Sequence, residues 1–444
     1  MTHTLIYPHT SRHNAAGHLE VGGCDVVELA TRFGTPLFIY DERSLRDQCR
    51  AYTAAFAGLV DAFAVVYACK AFCCRAMCEL VAEEGLSLDV SSGGELTAAR
   101  RASFPPERIY FHGNNKTPDE IDLGLEMGIG HFVVDSFEEI ARLDERVGRL
   151  GRRQGVLVRV TPGVKPSTHS YVQTGQLDSK FGFGLTDGQA DEAVRRCLAA
   201  ANLRLDGIHA HIGSQILDLS AYGHAIVVLM EAVAGWHERE SFDCRLLNIG
   251  GGLGIRYTSR DEPASIAEFV GAAVEAVVAE AARRGLEPPT ILVEPGRSIA
   301  GKAAVTAYRV GGVKEVPGAR TYVAVDGGMS DNLRPMLYGS RYEAMLANKA
   351  DVPASIEVTV AGKHCESGDV LVRDVALAAP EPGDVLVMPG TGAYGYALAN
   401  NYNGQPRPAV VMAAGGEARV IIERETWDDV LRLQRPLRAG DEGG

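Results

Sequence analysis

One repeated pattern in residues 60–300 constrains the fold more than any other feature of this sequence. A short run of β-branched or apolar residues ends in small, polar or ionisable residues and is followed by a helical stretch rich in Ala, Leu and Glu. The pattern occurs eight times. Alternating strands and helices favour a parallel sheet, and eight such units predict a closed (β/α)8 barrel of the α/β class.

The carboxyl ends of the eight predicted strands carry residues that can take part in catalysis or ligand binding. The runs end near Lys70, Asp89, His112, Asp135, Arg159, His211, Gly251 and Glu294. In a barrel these ends meet at one face, which is where barrel enzymes hold their active sites. The polar interval 163–186 is too long for a plain connection, and we expect it to form a loop over this mouth.

The pattern changes after residue 300, where the helical stretches become rare. Runs of strand length such as "AAVTAYRVGGV", "IEVTVAG" and "DVLVMPG" follow one another with turn residues between them. They predict a second, mostly β domain. The segment "TPLFIY" near residue 40 is expected to add a strand to it. We therefore assign residues 41–300 to the barrel, and residues 1–40 and 301–444 to the β-rich domain.

Composition limits the partners of the chain. It has 44 basic and 57 acidic residues and a formal net charge of −13, which argues against a nucleic acid or an anionic membrane surface and favours a small-molecule partner. The N-terminal residues lack the basic and apolar regions of a signal peptide. No apolar stretch approaches the length of about 18 residues needed for a membrane span. We therefore expect a cytoplasmic protein that does not interact with a membrane.

The nine cysteines form no regular framework, which is typical of reduced thiols rather than secreted disulfides. Cys73, Cys74 and Cys78 are clustered and their spacing can place two of them on one helical face. Zinc sites usually contain CxxC pairs or nearby histidines. The pattern therefore favours small buried thiols over a metal site, and we expect no metal.

Lys70 in "YACKAF" ends an apolar strand, where we expect its amine to be desolvated. Desolvation lowers the pKa of a lysine and makes it a good Schiff-base nucleophile. The alternative is a lysine whose charged end reaches solvent at the rim.

Two adjacent strand ends carry glycine-rich turns that suit an anion. "IGGGLG" at 249–254 allows backbone amides to approach a phosphate closely, and "EPGRS" at 294–298 adds a carboxylate, a glycine and an arginine. Barrels commonly bind phosphate at their seventh and eighth strands. A phosphate site beside a reactive lysine predicts pyridoxal phosphate. Glu294 would face the pyridine nitrogen and His211 would stack on the ring.

Two other sites compete with this interpretation. His209 and His211 could form a metal pair, as in barrel hydrolases, although that leaves the phosphate-type turns unexplained. The sequence "GTGAYG" at 390–395 fits G-x-G-x-x-G. The residues after it, "YALANNYNGQPRP", do not form a clean βαβ pattern with an acid at the ribose position, so a nicotinamide site is disfavoured.

The motifs together resemble those of a known family. They run in order as "YACKAF", "LDVSSGGEL", "HGNNK", "HIGSQI", "GGGLGI", "EPGRSIAG", "VDGGMSDNLRPMLYG", "CESGD" and "GTGAYGYAL". This series resembles the pyridoxal-phosphate enzymes of the alanine-racemase-like barrel class, and among them the diaminopimelate decarboxylases. The resemblance covers nearly the whole chain. It implies decarboxylation of meso-2,6-diaminopimelate to L-lysine and CO2 through an external aldimine and a quinonoid, as the final step of lysine biosynthesis.

The resemblance also implies roles for individual residues. Lys70 would carry the cofactor as a Schiff base, and Cys365 would donate a proton. With these two, the implied catalytic set includes His211 and Glu294. The other implied cofactor-binding residues are Asp89, Ser214, Gly252, Gly296, Arg297 and Tyr394. The residues implied to bind the substrate are Arg297, Arg334, Tyr338, Glu366 and Tyr394.

The resemblance further implies a homodimer with shared active sites. In this dimer, Cys365 and Glu366 would enter the active site of the second subunit. A sibling decarboxylase acting on another diamino acid is the nearest alternative, because the motifs specify the reaction better than the substrate's tail. A racemase would need a second base where this chain has Cys365. A non-catalytic pyridoxal-phosphate carrier would not need "CESGD" or Arg334.

Overall fold

The structure is a computed structural model that describes residues 5–164 and 179–437. Of the loop expected at 163–186, residues 165–178 lie outside the described residues.

Two compact units make up the chain. The barrel unit comprises Ser44–Arg256 and Arg260–Lys302. The β unit comprises Met1–Arg43, Tyr257–Ser259 and Ala303–Gly444.

The N-terminal segment forms a small sheet, a helix and one strand of the β unit before it enters the barrel unit. Its elements are β1 (Arg12–His13), β2 (Leu19–Val21), β3 (Cys24–Asp25), α1 (Val26–Phe33), β4 (Leu37–Asp41) and α2 (Glu42–Phe56). Strands β1, β2 and β3 pair antiparallel in that order. The Asp25 carboxylate accepts a hydrogen bond from the backbone N–H of Val27 at 2.8 Å and so caps α1.

Eight parallel strands close into a ring in the barrel unit, as the sequence predicts. They are β5 (Phe63–Ala68), β6 (Ser87–Val90), β7 (Ile109–Phe111), β8 (His131–Val134), β9 (Gln154–Thr161), β11 (Leu203–His209), β12 (Leu246–Asn248) and β13 (Thr290–Val293). A two-residue strand, β10 (Phe183–Gly184), pairs with β9 outside the ring. Each ring strand pairs with the next, and β13 pairs with β5 to close the barrel. All eight predicted barrel strands are confirmed.

The helices that follow the barrel strands begin and end at sequence signals. They are α3 (Arg75–Glu83), α4 (Gly93–Arg101), α5 (Pro118–Met127), α6 (Phe137–Arg149), α7 (Gln189–Ala199), α8 (Ser220–Glu240), α9 (Ile266–Arg284) and α10 (Arg297–Ala300). Thr117 and Glu120 form a capping box at α5, and Ser265 and Glu268 form another at α9. Helix α9 stops at Gly285, whose φ of 68° is left-handed.

Buried side chains from several strands fill the barrel. Val66, Tyr110, Val133, Leu157 and Leu292 form one cluster although they come from five different strands. Because side chains from several strands share this interior, the barrel is a packed core rather than a pore. Groups that can bind or react with a ligand therefore lie at the strand ends.

The β unit is built around one long strand. Its elements after the barrel are β14 (Ala304–Val316), β15 (Arg320–Val325), α11 (Arg334–Tyr338), β16 (Met345–Leu346), β17 (Ile356–Ala361), β18 (Val370–Leu377), β19 (Val385–Pro389), β20 (Ala409–Ala414), β21 (Glu417–Ile422) and α12 (Trp427–Leu431). The first half of β14 pairs with β4 and β19, and its second half pairs with β15. The predicted contribution of "TPLFIY" is confirmed, since β4 lies between β14 and β20.

Two details differ from or add to the sequence expectations. Strand β20 (Ala409–Ala414) was not predicted, although "PAVVMAA" is apolar and comes after a proline-rich turn. The sequence "GTGAYG" comes after β19 and is succeeded only by a three-residue 3₁₀ turn at Tyr396–Leu398, which rules out a dinucleotide-binding helix there. Among the described residues, no helix has the length and hydropathy needed to cross a membrane.

A buried ion pair joins two neighbouring barrel connections. The Lys116 ammonium donates to the carbonyl oxygens of Gly113 and Val133, at 2.9 and 2.7 Å, and to Glu139 Oε1 at 2.7 Å. Both charged side chains are almost fully buried. All three ammonium protons are therefore used inside the protein.

Replacing Lys116 with Met should destabilise the protein by about 3–5 kcal/mol, because it leaves the Glu139 carboxylate buried and unpaired. Urea unfolding measures the loss. The double variant K116M/E139L should recover most of it, since it removes both charges. Arg149→Ala, which breaks an exposed pair with Glu145, should cost less than about 1 kcal/mol. Equal losses in K116M and R149A would contradict the role of burial.

Candidate active site

A carboxylate held between two histidines lies at the open end of the barrel. Glu294 Oε1 lies 3.0 Å from His112 Nε2 and accepts a hydrogen bond from Asn248 Nδ2 at 2.6 Å. Its Oε2 lies 3.0 Å from His209 Nε2. These four side chains follow or end strands β7, β11, β12 and β13. Barrel closure therefore brings together residues that are far apart in sequence.

Electrostatics keep Glu294 ionised in this site. Burial disfavours its charge, but His112 and His209 outweigh burial and hold the pKa of the carboxyl well below its usual range. Burial lowers the pKa of His209 to about 4 despite the attraction of Glu294. At neutral pH the arrangement is a fixed carboxylate beside a neutral His209.

His211 lies two residues beyond His209 at the same strand end. The backbone N–H of Gly251 donates to its Nδ1 at 3.3 Å, which places the proton of the neutral ring on Nε2. Burial, followed by the positive charge of Lys70, lowers the pKa of His211 well below its usual value. A neutral imidazole can stack on an electron-poor ring without the repulsion that a charged one would meet.

The glycine-rich turns admit no side chain. A Cβ on Gly251 would lie 2.0 Å from the carbonyl oxygen of Glu294, and one on Gly252 would lie 2.3 Å from that of Gly213. Gly252 also has a left-handed φ of 111°. A Cβ on Gly296 would approach Ala68 and Ala71 at 3.0 Å. The glycines thus keep the backbone of the turns close together.

A buried arginine accompanies these turns. The Arg297 guanidinium donates to Ser214 Oγ at 2.8 Å, and its side chain is almost fully buried. The predicted phosphate residues Ser214, Gly252, Gly296 and Arg297 therefore belong to one end of the barrel.

Lys70 differs from the prediction in its environment. Strand β5 ends at Ala68, and Lys70 lies on the following 3₁₀ turn, Cys69–Ala71. Its side chain is 47% exposed, and its Nζ lies 4.0 Å from Asp89 Oδ2. The expectation of a desolvated amine is therefore wrong for this structure, because the turn carries the side chain past the apolar strand to the open mouth. Burial raises the pKa of Asp89, although His112 and Lys70 oppose the increase.

The other predicted site residues lie in the β unit. Arg334 begins α11, is buried, and donates from Nη1 to the Tyr342 hydroxyl at 2.7 Å. Its guanidinium also lies over the Tyr257 ring, 4.5 Å from the ring centre. Tyr338 ends the same helix. Tyr394 has a φ of 58°, a conformation that is uncommon for a residue other than glycine.

Cys365 and Glu366 occupy the turn between β17 and β18. The Cys365 thiol is free, as the sequence predicts, and the residue is exposed. Its backbone N–H donates to Asn403 Oδ1 at 3.0 Å. Glu366 is exposed and accepts a bond from the backbone N–H of Gly368 at 3.2 Å.

The Asp369 carboxylate holds this turn in place through hydrogen bonds. Its Oδ2 accepts the backbone N–H of His364 at 2.9 Å and lies 2.8 Å from His364 Nδ1. Its Oδ1 accepts the N–H of Met329 at 2.7 Å, which ties the turn to the "GGMSDN" loop. A Cβ on Gly362 would lie 2.1 Å from the carboxylate, so only glycine fits beside it.

Several of these residues were not assigned to the site from sequence. Asn248 ends β12 and His112 directly follows β7, so their positions are a usable signal in the sequence. From sequence, His209 enters only the alternative of a metal pair with His211. Among the described residues, the ligand atoms of His209 instead lie with those of His112 and Glu294, and His211 is outside this group. The group that the structure brings together therefore differs from the alternative metal pair of His209 and His211.

The residues present fit pyridoxal phosphate. Glu294 offers an ionised, buried carboxylate for a pyridine nitrogen, and His211 offers a neutral ring. The glycine turns and Arg297 suit a phosphate. Lys70 supplies an amine at the open end of the same barrel.

Comparison with known families gives the same class. The sequence model described as "Pyridoxal-dependent decarboxylase, pyridoxal binding domain" matches residues 42–301. The barrel and its site are thus those of a pyridoxal-dependent decarboxylase.

The full chain is similar to named enzymes of that class. It is 49% identical over 431 residues to diaminopimelate decarboxylase of Bacillus subtilis (strain 168), covering 97% of this chain and 98% of that protein. It is 43% identical over 438 residues to diaminopimelate decarboxylase of Mycobacterium tuberculosis (strain ATCC 25618 / H37Rv), covering 97% of each. The chain belongs to the diaminopimelate decarboxylase family.

Solved structures agree in fold. Diaminopimelate decarboxylase from M. jannaschii in complex with L-lysine has a TM-score of 0.90 and 33% identity, covering 97% of this chain and 98% of its own. Lysine/ornithine decarboxylase from Vibrio vulnificus, complexed with putrescine, has a TM-score of 0.74 at 23% identity, covering 90% of this chain and 99% of its own. The second similarity shows the fold alone.

The pKa of His209 predicts a pH-dependent loss of stability. The folded pKa is about 4, below the value of about 6.5 in an unfolded chain. Between these values the unfolded chain binds a proton that folded His209 does not, so stability falls as the pH decreases. The slope from this group approaches about 1.4 kcal/mol per pH unit.

The variant H209Q should flatten the decrease in the urea midpoint between pH 7 and pH 5. Glutamine keeps an N–H donor for Glu294 but does not titrate. The matched control is H237Q, at an exposed position, which should keep the pH dependence of the parent protein. An unchanged slope in H209Q would show that His209 is not a source of it.

Proposed function

We propose that this chain decarboxylates meso-2,6-diaminopimelate to L-lysine and CO2 with pyridoxal phosphate, as the last step of lysine synthesis. The observation that carries the proposal is the near full-length match to diaminopimelate decarboxylases at up to 49% identity among the relatives given above. The substrate is thus a small amino acid. No observation favours a sibling decarboxylase.

Residues of the barrel unit would hold the cofactor. Lys70 would bind it covalently through Nζ, with Asp89 4.0 Å from that atom. When bound, pyridoxal phosphate supplies an electron sink for the bond that breaks at Cα. Its phosphate would be held by Ser214, Gly252, Gly296 and Arg297, and we also assign Tyr394 to the cofactor.

Glu294 and His211 have distinct tasks in this proposal. Glu294 remains ionised because His112 and His209 outweigh its burial, and it can therefore hold a proton at the pyridine nitrogen. His211 remains neutral, so it packs on the ring without adding positive charge. The two histidines beside Glu294 are positioning residues.

Recognition of the substrate's unreactive end needs charges of both signs. That end carries a carboxylate and an amine, so we assign Arg297, Arg334 and Tyr338 to the carboxylate and Glu366 to the amine, with Tyr394 as a further contact. Arg334 is already held by Tyr342 and lies over Tyr257. Ornithine and arginine lack a distal carboxylate, so these arginines would face a cationic tail.

Protonation at Cα completes the reaction, and we assign it to Cys365. The thiol is exposed on a turn that Asp369 ties to the "GGMSDN" loop through the backbone N–H of Met329. We propose that this turn reaches the active site of a second copy, which makes the enzyme a homodimer with shared sites. We also propose that the enzyme acts in the cytoplasm, where free thiols such as its nine cysteines persist.

A substrate panel tests the reaction. Protein loaded with pyridoxal phosphate should release CO2 and L-lysine from meso-diaminopimelate, with far lower CO2 release from L-ornithine, L-arginine or L-lysine. K70A should lose the borohydride-sensitive visible absorbance and at least about 10³-fold in turnover, because the covalent attachment is gone. Efficient turnover of another panel member, with none of meso-diaminopimelate, would refute the proposed substrate.

Subunit complementation tests the shared sites. K70A and C365A homodimers should each be nearly inactive. If they exchange subunits freely, half of the dimers are mixed and each mixed dimer has one intact site, so activity should return to about a quarter of the parent value. Mixing K70A with H211A is the matched control. Both substitutions lie in the barrel unit, so each barrel of a mixed dimer carries one of them, and the mixture should restore no activity. Failure of the first mixture after proven subunit exchange would contradict sharing.

A further inference from the structure

Three thiols converge on one side of the barrel, outside the set of residues assigned to the reaction. The sulfur atoms of Cys69, Cys73 and Cys78 all lie within 4.8 Å of one another. Cys69 and Cys78 are buried, and Cys73 is partly exposed. Cys73 is thus the member of the cluster that is most accessible to solvent.

The fold selects a different trio from the one that the sequence suggests. Cys69 lies on the 3₁₀ turn after β5, Cys73 lies in the link to α3, and Cys78 lies in the first part of α3. Cys74 is the residue that caps α3 and is not part of the group. Spacing along a single helix could not reveal this, because Cys69 reaches the cluster through a turn.

The three sulfur ligands determine which cations the cluster would bind. Thiolates prefer soft or borderline ions such as Zn²⁺ and Cd²⁺ over Mg²⁺ or Ca²⁺. With a Zn–S distance of about 2.3 Å, tetrahedral ligands lie about 3.8 Å apart, so small side-chain adjustments suffice from 4.8 Å. The Glu95 carboxylate, which interacts electrostatically with Cys73 and Cys78, adds negative charge to the surroundings.

We propose that Cys69, Cys73 and Cys78 form a three-thiolate site for one zinc-class divalent cation, with the fourth coordination position open to solvent. The ion would join the turn that carries Lys70 to the start of α3. Binding releases the thiol protons to solvent and forms three metal–sulfur bonds, with no redox change. The competing explanation is that the thiols only pack as small apolar groups.

Titration of the reduced holoenzyme with Cd²⁺ tests the site. The parent protein should bind one Cd²⁺ per chain with a sulfur-to-metal charge-transfer absorbance, and elemental analysis after desalting should count the ion. C73S and C78S should each weaken binding by about tenfold or more and reduce the absorbance. Their unfolding midpoints and visible cofactor spectra show whether they remain folded.

Two matched variants separate the cluster from neighbouring thiols. C74S removes the adjacent cysteine, and C365S removes the exposed one; both should keep the Cd²⁺ band and stoichiometry. A parent protein without the band, or equal binding in C73S, C78S and C74S, would overturn the proposal and leave packing as the role of the thiols. Because C73S replaces a partly exposed residue, it keeps the test decisive if C78S, at a buried position, does not fold.

Discussion

Closure of eight parallel strands is the constraint on which the rest of the barrel unit depends. Pairing of β13 with β5 turns an open sheet into a ring, so that every strand end faces one mouth. Residues from β7, β11, β12 and β13 then meet at Glu294. No single βα unit contains this arrangement, and an open sheet with the same strands would spread these side chains along an edge.

The electrostatic design of the mouth depends on that geometry. A buried carboxylate would ordinarily become protonated, but His112 and His209 lie 3.0 Å from Glu294 and reverse the effect. The same burial lowers the pKa of His209, so this histidine stays neutral. Likewise, one carboxylate in the β unit, that of Asp369, joins two loops through backbone donors. In each unit, a buried carboxylate thus fixes the position of the groups that bind it.

The fold was largely predictable because strand and helix signals are local. Capping boxes such as Thr117 with Glu120, and stop signals such as Gly285, can be read directly. Strand β20 was missed although its composition is apolar, since its pairing with β4 joins residues far apart in sequence. The environment of Lys70 was wrongly predicted because one turn beyond β5 separates an apolar strand from an exposed amine.

The sequence by itself determined the eight βα units, the β-rich remainder and the identity of the residues at the strand ends. Periodicity, turn residues and strand-end positions are local properties that can be read along the sequence. Only the tertiary structure decided which side chains share a site: Asn248 with Glu294, Asp369 with Met329, and Cys69 rather than Cys74 with Cys78. The physical reason is that charge pairing, burial and ligand convergence depend on distances in space, which barrel closure and turns set independently of spacing along the chain.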